Sequence, residues 1–181
     1  MSLENKLSLK KNTLNNLTKS VKKPLYDLES IKPGIIHLGL GNFHRAHQAL
    51  YLDDLFNMGL DHDWGIVGSG VMPHDAAMRK ALFEQDLLTT VVELEPGANK
   101  VRVIGSMVDF LPVESGNPSL IRALCNPEIR IVSMTITEGG YFIDPATGKF
   151  NPNFPQMIDD SKNLESPNTV FGILVQALKL R

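Results

Sequence analysis

Two glycines one residue apart, Gly39 and Gly41, follow a short apolar run and precede a helix-like stretch. In that order, strand then glycine turn then helix, a backbone turn can take up the phosphates of a dinucleotide. Gly39 can make the tight turn, and Gly41 lets the main chain approach a pyrophosphate. A helix opening near Phe43 offers its unpaired amides and its dipole to negative charge. Arg45 adds a cation suited to phosphate. His44 stands where the usual spacing has a third glycine, so a purely structural two-glycine turn accounts for the same residues. The acid that grips the adenosine ribose should come roughly 20 residues later. Asp61 and Asp63 precede the next strand, its end carries no acid, and the nearest one beyond is Asp75. That departure leaves the choice between NAD and NADP open, and the absence of an arginine at that strand end to meet a 2′-phosphate tilts it slightly toward NAD.

A second constellation is Ser133-Met-Thr-Ile-Thr-Glu-Gly-Gly-Tyr141, which puts hydroxyls, an acid and glycines at a strand's C-terminal end. In open α/β sheets that edge faces the ligand crevice, so Thr137 and Glu138 are candidates for the nicotinamide side of a site. An ordinary Gly-Gly turn is the competing account, and it suffices for Tyr141. His37, His44 and His47 invite a metal reading. His37 lies inside an apolar strand, where a hydrogen-bonded core imidazole explains it, and Asp53 and Asp54 lie two turns away from the other two. No metal is expected. Glu138 and Glu93 lack partners for acid-base work, and neither a Gly-x-Ser-x-Gly elbow nor a Cys/His pair occurs, so no catalytic residue is assigned.

The elements that must position these groups follow from periodicity. Ile35-Ile-His-Leu38 reads as a buried parallel strand. Arg45–Met58 reads as a helix with Ala49, Leu52, Leu55 and Phe56 on one side, stopped by Gly59. Trp64–Val67 is the second strand, and Asp75–Phe83 the next helix, opened by Pro73. Thr89–Leu94 and Val101–Met107 form strands, as a hairpin across Glu95-Pro-Gly-Ala-Asn99. A short helix over Ser119–Cys125, a strand over Ile129–Thr137, a loop-rich stretch with four prolines, and a helix from about Thr169 to Leu180 complete the chain. This order predicts an α/β fold, a Rossmann-type doubly wound parallel sheet. The last helix is strongly apolar and would be followed by another strand in such a fold, so the sequence reads as cut before its last strands.

Composition narrows the class. The chain has 181 residues, 43% hydrophobic and 21% charged, with a formal charge of −2. That suits one globular domain and gives no electrostatic footprint for nucleic acid. A single cysteine, Cys125, excludes an intrachain disulfide framework, and no apolar run approaches the roughly 20 residues of a membrane helix. The expected setting is reducing and cytoplasmic, with a small molecule as partner and neither nucleic acid nor membrane. Residues 1–23 carry six lysines against Glu4. They read as a polar arm that Leu7, Leu9, Leu14 and Leu17 could dock, with residues 1–33 as arm and linker and 34–181 as the cofactor domain.

The segment Gly34-Ile-Ile-His-Leu-Gly-Leu-Gly-Asn-Phe-His-Arg-Ala-His-Gln-Ala49 resembles the N-terminal cofactor segment of the polyol-specific long-chain dehydrogenases, the mannitol 2-dehydrogenase family. Trp64-Gly-Ile-Val-Gly68 and Thr135-Ile-Thr-Glu-Gly-Gly-Tyr141 match it in order and spacing, so the resemblance covers about residues 25–180. It implies an NAD-binding Rossmann domain with Ile35, Ile36, His37, Leu38, Gly39, Leu40, Gly41, Asn42, Phe43, His44, Arg45 and Ala46 as the pyrophosphate segment. The implied reaction is hydride transfer between a polyol and a ketose, such as mannitol and fructose. Arabinitol dehydrogenases and fructuronate or tagaturonate reductases are the related alternatives, as is a dinucleotide-binding module without catalysis. The family's catalytic lysine, orienting asparagines and histidine belong to motifs this sequence lacks. Lys149, Lys162 and Lys179 match none of them, so the chain alone is expected to be inactive.

Overall fold

The computed structural model describes residues 8–181, the side chain of Glu138 excepted; the expectation for Leu7 lies outside the described residues. Four parallel strands form the main sheet: β1 (Pro33–Leu38), β2 (Gly65–Ser69), β5 (Met107–Phe110) and β6 (Ile131–Met134). Their spatial order is β5-β2-β1-β6. The chain therefore adds β2 and β5 on one side of β1, then crosses back to place β6 on the other. That reversal leaves a crevice at the C-terminal ends of β1 and β6, where doubly wound sheets take ligands.

Alternation along β1 divides the core. Ile36 and Leu38 face one layer, with Val67, Leu120, Leu124 and Ile173, supplied in part by α4 (Pro118–Leu124) and α6 (Val170–Leu180). Ile35 faces the other, with Ala49, Ile66, Leu82 and Phe110, supplied in part by α2 (Gln48–Asn57) and α3 (Asp75–Phe83). Successive strand side chains point to opposite faces, so Ile35 and Ile36 serve different layers.

Several elements differ from expectation. The first helical stretch is two helices, α1 (Asn42–Ala46) and α2, broken at His47 (φ −123°, ψ −84°). There the Phe43 carbonyl, which a continuous helix would give to the His47 amide, accepts instead from His47 Nδ1 at 2.8 Å. The stretch 101–107 is also divided. β4 (Ala98–Ile104) pairs antiparallel with β3 (Thr89–Glu95), while Met107 begins β5 in the parallel sheet. Gly105 and Ser106 make the corner, and Ser106 Oγ donates to the Ala49 carbonyl at 2.6 Å. β6 is four residues long rather than nine, although ladder-like bonds from Arg130 N to Gly34 O and from Thr135 N to Leu38 O extend it at both ends. A helix that periodicity did not signal, α5 (Pro155–Lys162), lies in the proline-rich stretch.

The arm docks on the hairpin. Leu14 is buried with Leu88 and Val103, and the Lys22 backbone bonds to both Val101 and Val103. Asp53 of α2, 1% exposed, anchors the junction. It accepts from Tyr26 Oη (2.6 Å), the Gly105 amide (2.9 Å), Asn57 Nδ2 (3.0 Å) and Arg102 (3.0 Å). A buried carboxylate with this many donors is compensated for leaving water.

Candidate functional site

The glycine turn stands at the C-terminal end of β1. Gly39 has φ +88°, and a Cβ there would lie 2.7 Å from the Thr135 carbonyl oxygen, so the position needs glycine on both counts. Gly41 differs: a Cβ built on it meets nothing within 4 Å. It caps α1 in an extended conformation, and its amide donates to the Gly39 carbonyl at 2.9 Å. Among the described residues, the amides of Asn42, Phe43 and His44 in the first turn have no backbone acceptor. Arg45 braces the turn, donating to the Leu40 carbonyl at 2.9 Å and to Asn42 Oδ1. Partial burial pulls its pKa below the usual guanidinium value.

A cleft of about 730 Å³ opens over this turn, large enough for a cofactor-sized ligand. Leu38, Gly39, Leu40 and Gly41 form its β1 wall, and Thr135, Ile136 and Thr137 its β6 wall. Thr137 thus lines the cleft, and Glu138 follows it as the first residue of a 3₁₀ turn, Glu138–Tyr141. Ile35 and Ile36 are buried in the two core layers, and Ala46 is half-buried. Asn42 and Phe43 are exposed on α1, Phe43 stacking on His47 with 4.3 Å between centroids.

His37 and His44 lie behind the turn, 1% and 0% exposed. Their rings stack with centroids 3.7 Å apart. Burial lowers the pKa of His37 to about 4 and that of His44 to about 3, in the latter case with help from His37 and Arg45. Both are therefore neutral near pH 7. His37 uses both ring nitrogens, toward Ser133 Oγ (2.8 Å) and Thr135 Oγ1 (2.9 Å). Neither nitrogen of His44 has a hydrogen-bond partner among the described residues. His47 is exposed on the far side of the helix break, so the three histidines do not converge.

The structure also brings in residues that spacing placed poorly. Asp75, the nearest acid beyond the strand end, opens α3 and folds back over Gly70 at the end of β2. Its Oδ2 accepts from the Met72 amide at 2.9 Å, and it lines the cleft with His74. The five-residue connection 70–74 separates it from the strand end, and Pro73 at the helix entry is the local signal for its position. Arg79, one turn on, is committed to the Phe110 carbonyl (2.7 Å) and the Phe83 ring. Phe142, Gln156 and Thr169 close the opposite wall from loop and helix-start positions that carry no periodic signature.

A profile of the mannitol dehydrogenase Rossmann domain family matches residues 33–181. The chain is 53% identical over 165 residues to a mannitol 2-dehydrogenase of Cereibacter sphaeroides, covering 91% of this chain and 34% of that protein. It is 44% identical to a polyol:NADP oxidoreductase of Gluconobacter oxydans, covering 93% and 35%. Among solved structures, Pseudomonas fluorescens mannitol 2-dehydrogenase in ternary complex with NAD and D-mannitol superposes with a TM-score of 0.90 at 45% identity, covering 97% of this chain and 36% of the other. The chain thus spans about a third of the length of the relatives it matches. Among the described residues, no helix is long and apolar enough to cross a membrane.

Proposed function

The chain belongs to the mannitol dehydrogenase Rossmann domain family, and from that premise we propose that it binds NAD in the cleft above β1, β2 and β6. The observation that carries this reading is Gly41, a glycine at a helix cap that lines that cleft and where a Cβ would have no described neighbour within 4 Å. The first-turn amides of α1 receive the pyrophosphate, which the missing side chain at Gly41 lets close to the backbone. Asp75 accepts from the adenosine ribose hydroxyls, and Thr137 and Glu138 border the nicotinamide. Residues 34–181 act as the cofactor domain and 1–33 as an arm that braces it.

When bound, NAD accepts or supplies the hydride in the interconversion of a polyol and a ketose, D-mannitol and D-fructose being the pair favoured by the relatives. This chain's own residues hold and orient the nucleotide. Among its described side chains, the proton-transfer groups on the cleft wall are His74 and Asp75, both at the β2 end beside the ribose position. A base must reach the reacting hydroxyl, so the isolated 181-residue chain does not turn over mannitol and acts as the cofactor-holding part of a polyol dehydrogenase.

The test is calorimetric titration with NAD, paired with the thermal midpoint, which a ligand of the native state must raise. Tryptophan fluorescence is the poorer probe, because Trp64 lies under Arg130 before β2, at the other end of the sheet. Saturable binding with a raised midpoint supports the reading; a cooperatively folded chain that binds no NAD ends it. Mannitol-dependent NADH formation by the purified chain would overturn the inactivity.

A further inference from the structure

Behind the glycine turn, one face of β1 and β6 carries His37, Ser133 and Thr135, and Gln48 of α2 reaches Ser133. We propose that these groups form a one-way hydrogen-bond relay ending on the Gly39 carbonyl, with His37 as the positioning residue that holds the turn in its cofactor-accepting shape. The proposal rests on the reading that this turn receives NAD.

The direction follows from counting protons. The Gly39 carbonyl can only accept, and it lies 2.7 Å from Thr135 Oγ1 and 3.2 Å from His37 Nε2. A bare Nε2 would set two lone pairs against each other at that separation, so Nε2 carries the ring hydrogen. Nε2–H donates to Thr135 Oγ1 at 2.9 Å, and Thr135 passes its own hydrogen to the Gly39 oxygen. The Gly41 amide donates to that same oxygen at 2.9 Å, filling its second lone pair. With Nε2 protonated, neutral His37 leaves Nδ1 as an acceptor, so Ser133 Oγ donates to it at 2.8 Å. Ser133 then has no hydrogen for Gln48, 3.2 Å away. Gln48 must present its NH₂ there, a half-turn of an amide whose two ends are nearly alike in shape.

The relay adds to the other holds on the turn, which are buried Leu40, the Gly39 amide on the Ser69 carbonyl at 3.0 Å and the Arg45 brace. Gly39 and Gly41 offer no side chains to pack, and Gly39 is pressed against the Thr135 backbone in a left-handed conformation. His44 stacks on His37 and fixes its ring plane. A residue 1% exposed thus acts on the turn chiefly through Thr135, its own Nε2 lying 3.2 Å from the Gly39 oxygen.

The experiment uses the ¹⁵N-labelled 181-residue chain. Imidazole ¹⁵N correlation spectra read the His37 tautomer, amide exchange at Gly41 reads the turn without nucleotide, and titration reads NAD affinity. Thr135→Val removes the donor at nearly constant shape; Thr135→Ser keeps it. The expected results are an Nε2–H tautomer in the parent chain and, for Thr135→Val, about tenfold faster Gly41 exchange and about tenfold weaker NAD binding. Thr135→Ser should stay within about twofold of the parent on both readouts. Should Thr135→Val fail to fold, Ser133→Ala, off the cleft wall, must mix the His37 tautomers and speed Gly41 exchange. An Nδ1–H tautomer in the parent overturns the relay, as does unchanged Gly41 exchange in the variant that folds. A parent chain with the relay tautomer that binds no NAD overturns the cofactor reading alone, since the exchange readout needs no nucleotide.

Discussion

Gly34 and Gly65 at one end of the parallel sheet and Gly41 at the other use the same residue type for opposite reasons. At the N-terminal ends of β1 and β2, Gly34 and Gly65 are walled in. A Cβ on Gly65 would lie 2.7 Å from Ile31 Cγ2 and 2.8 Å from the Lys32 carbonyl, and one on Gly34 would overlap the Asp63 carbonyl. Arg130 stacks 3.6 Å from the Trp64 ring at this end and pairs with Asp63 at 2.9 Å. At the C-terminal end, Gly41 has open space where its side chain would be. Gly34 and Gly65, like Gly39 at the other end, let two backbones meet; Gly41 leaves a place for something else. Motif reading treats all glycines alike, and only the surroundings of each separate a packing position from a binding one.

The sharpest way to break that contrast is Gly34→Ala. Its Cβ meets backbone rather than a flexible side chain, so a stability loss of roughly 3 kcal/mol is expected in urea melts, with NAD affinity of the folded fraction unchanged. An unaltered midpoint would mean the closed end tolerates a methyl group and the contrast is false.

Acidification tests the layer behind the open end. His37 and His44 have folded-state pKa values of about 4 and about 3, below the ordinary 6.5, so the folded chain resists their protonation and the unfolded chain does not. Their contribution is fully present above about pH 6.5 and is lost as pH falls through about 4 and then 3. On the order of a few kcal/mol should disappear over that range, measured by urea melts at stepped pH. His37→Phe should flatten the curve between pH 6 and 4; a slope identical to the parent's would remove His37 from this account.

At the open end, Gly41→Ala should leave the nucleotide-free melting midpoint within about 2 °C of the parent, because the added Cβ and its hydrogens have no described neighbour within 4 Å. NAD affinity should fall about a hundredfold, since those atoms occupy the space meant for phosphate. Loss of stability without loss of binding would reverse the assignment of Gly41. The smallest expected effect is at Asp75→Asn, about a tenfold loss of NAD affinity with improved relative binding of NADP. An unchanged ratio of the two affinities would take Asp75 away from the ribose.

Local pattern alone carried β1, β2, α3, the hairpin and the glycine turn, because each is specified by residues within a few positions of one another: β-branched runs, a proline at a helix entry, a Pro-Gly corner. It also gave the order of elements, hence a parallel sheet, and a resemblance resting on the string around Phe43-His-Arg-Ala-His47. Other features depend on partners distant in sequence. The break at His47 has a side chain claiming a carbonyl and Ser106 bonds to α2 at the corner between β4 and β5, whereas α5 opens on Pro155, a helix-start signal that the surrounding prolines mask.

The site divides along the same line. That a strand, two glycines and a helix start could receive a dinucleotide was written in consecutive residues, since the turn's geometry is local. That Asp75 returns over Gly70 to the cleft, that Gly41 is open while Gly34 is sealed, and that His37 is tied to Ser133 and Thr135 nearly a hundred positions on were decided only when β6 came to lie beside β1 and the loops closed above them. Local sequence sets backbone preference and side-chain chemistry; the space around a side chain belongs to whatever the fold packs against it.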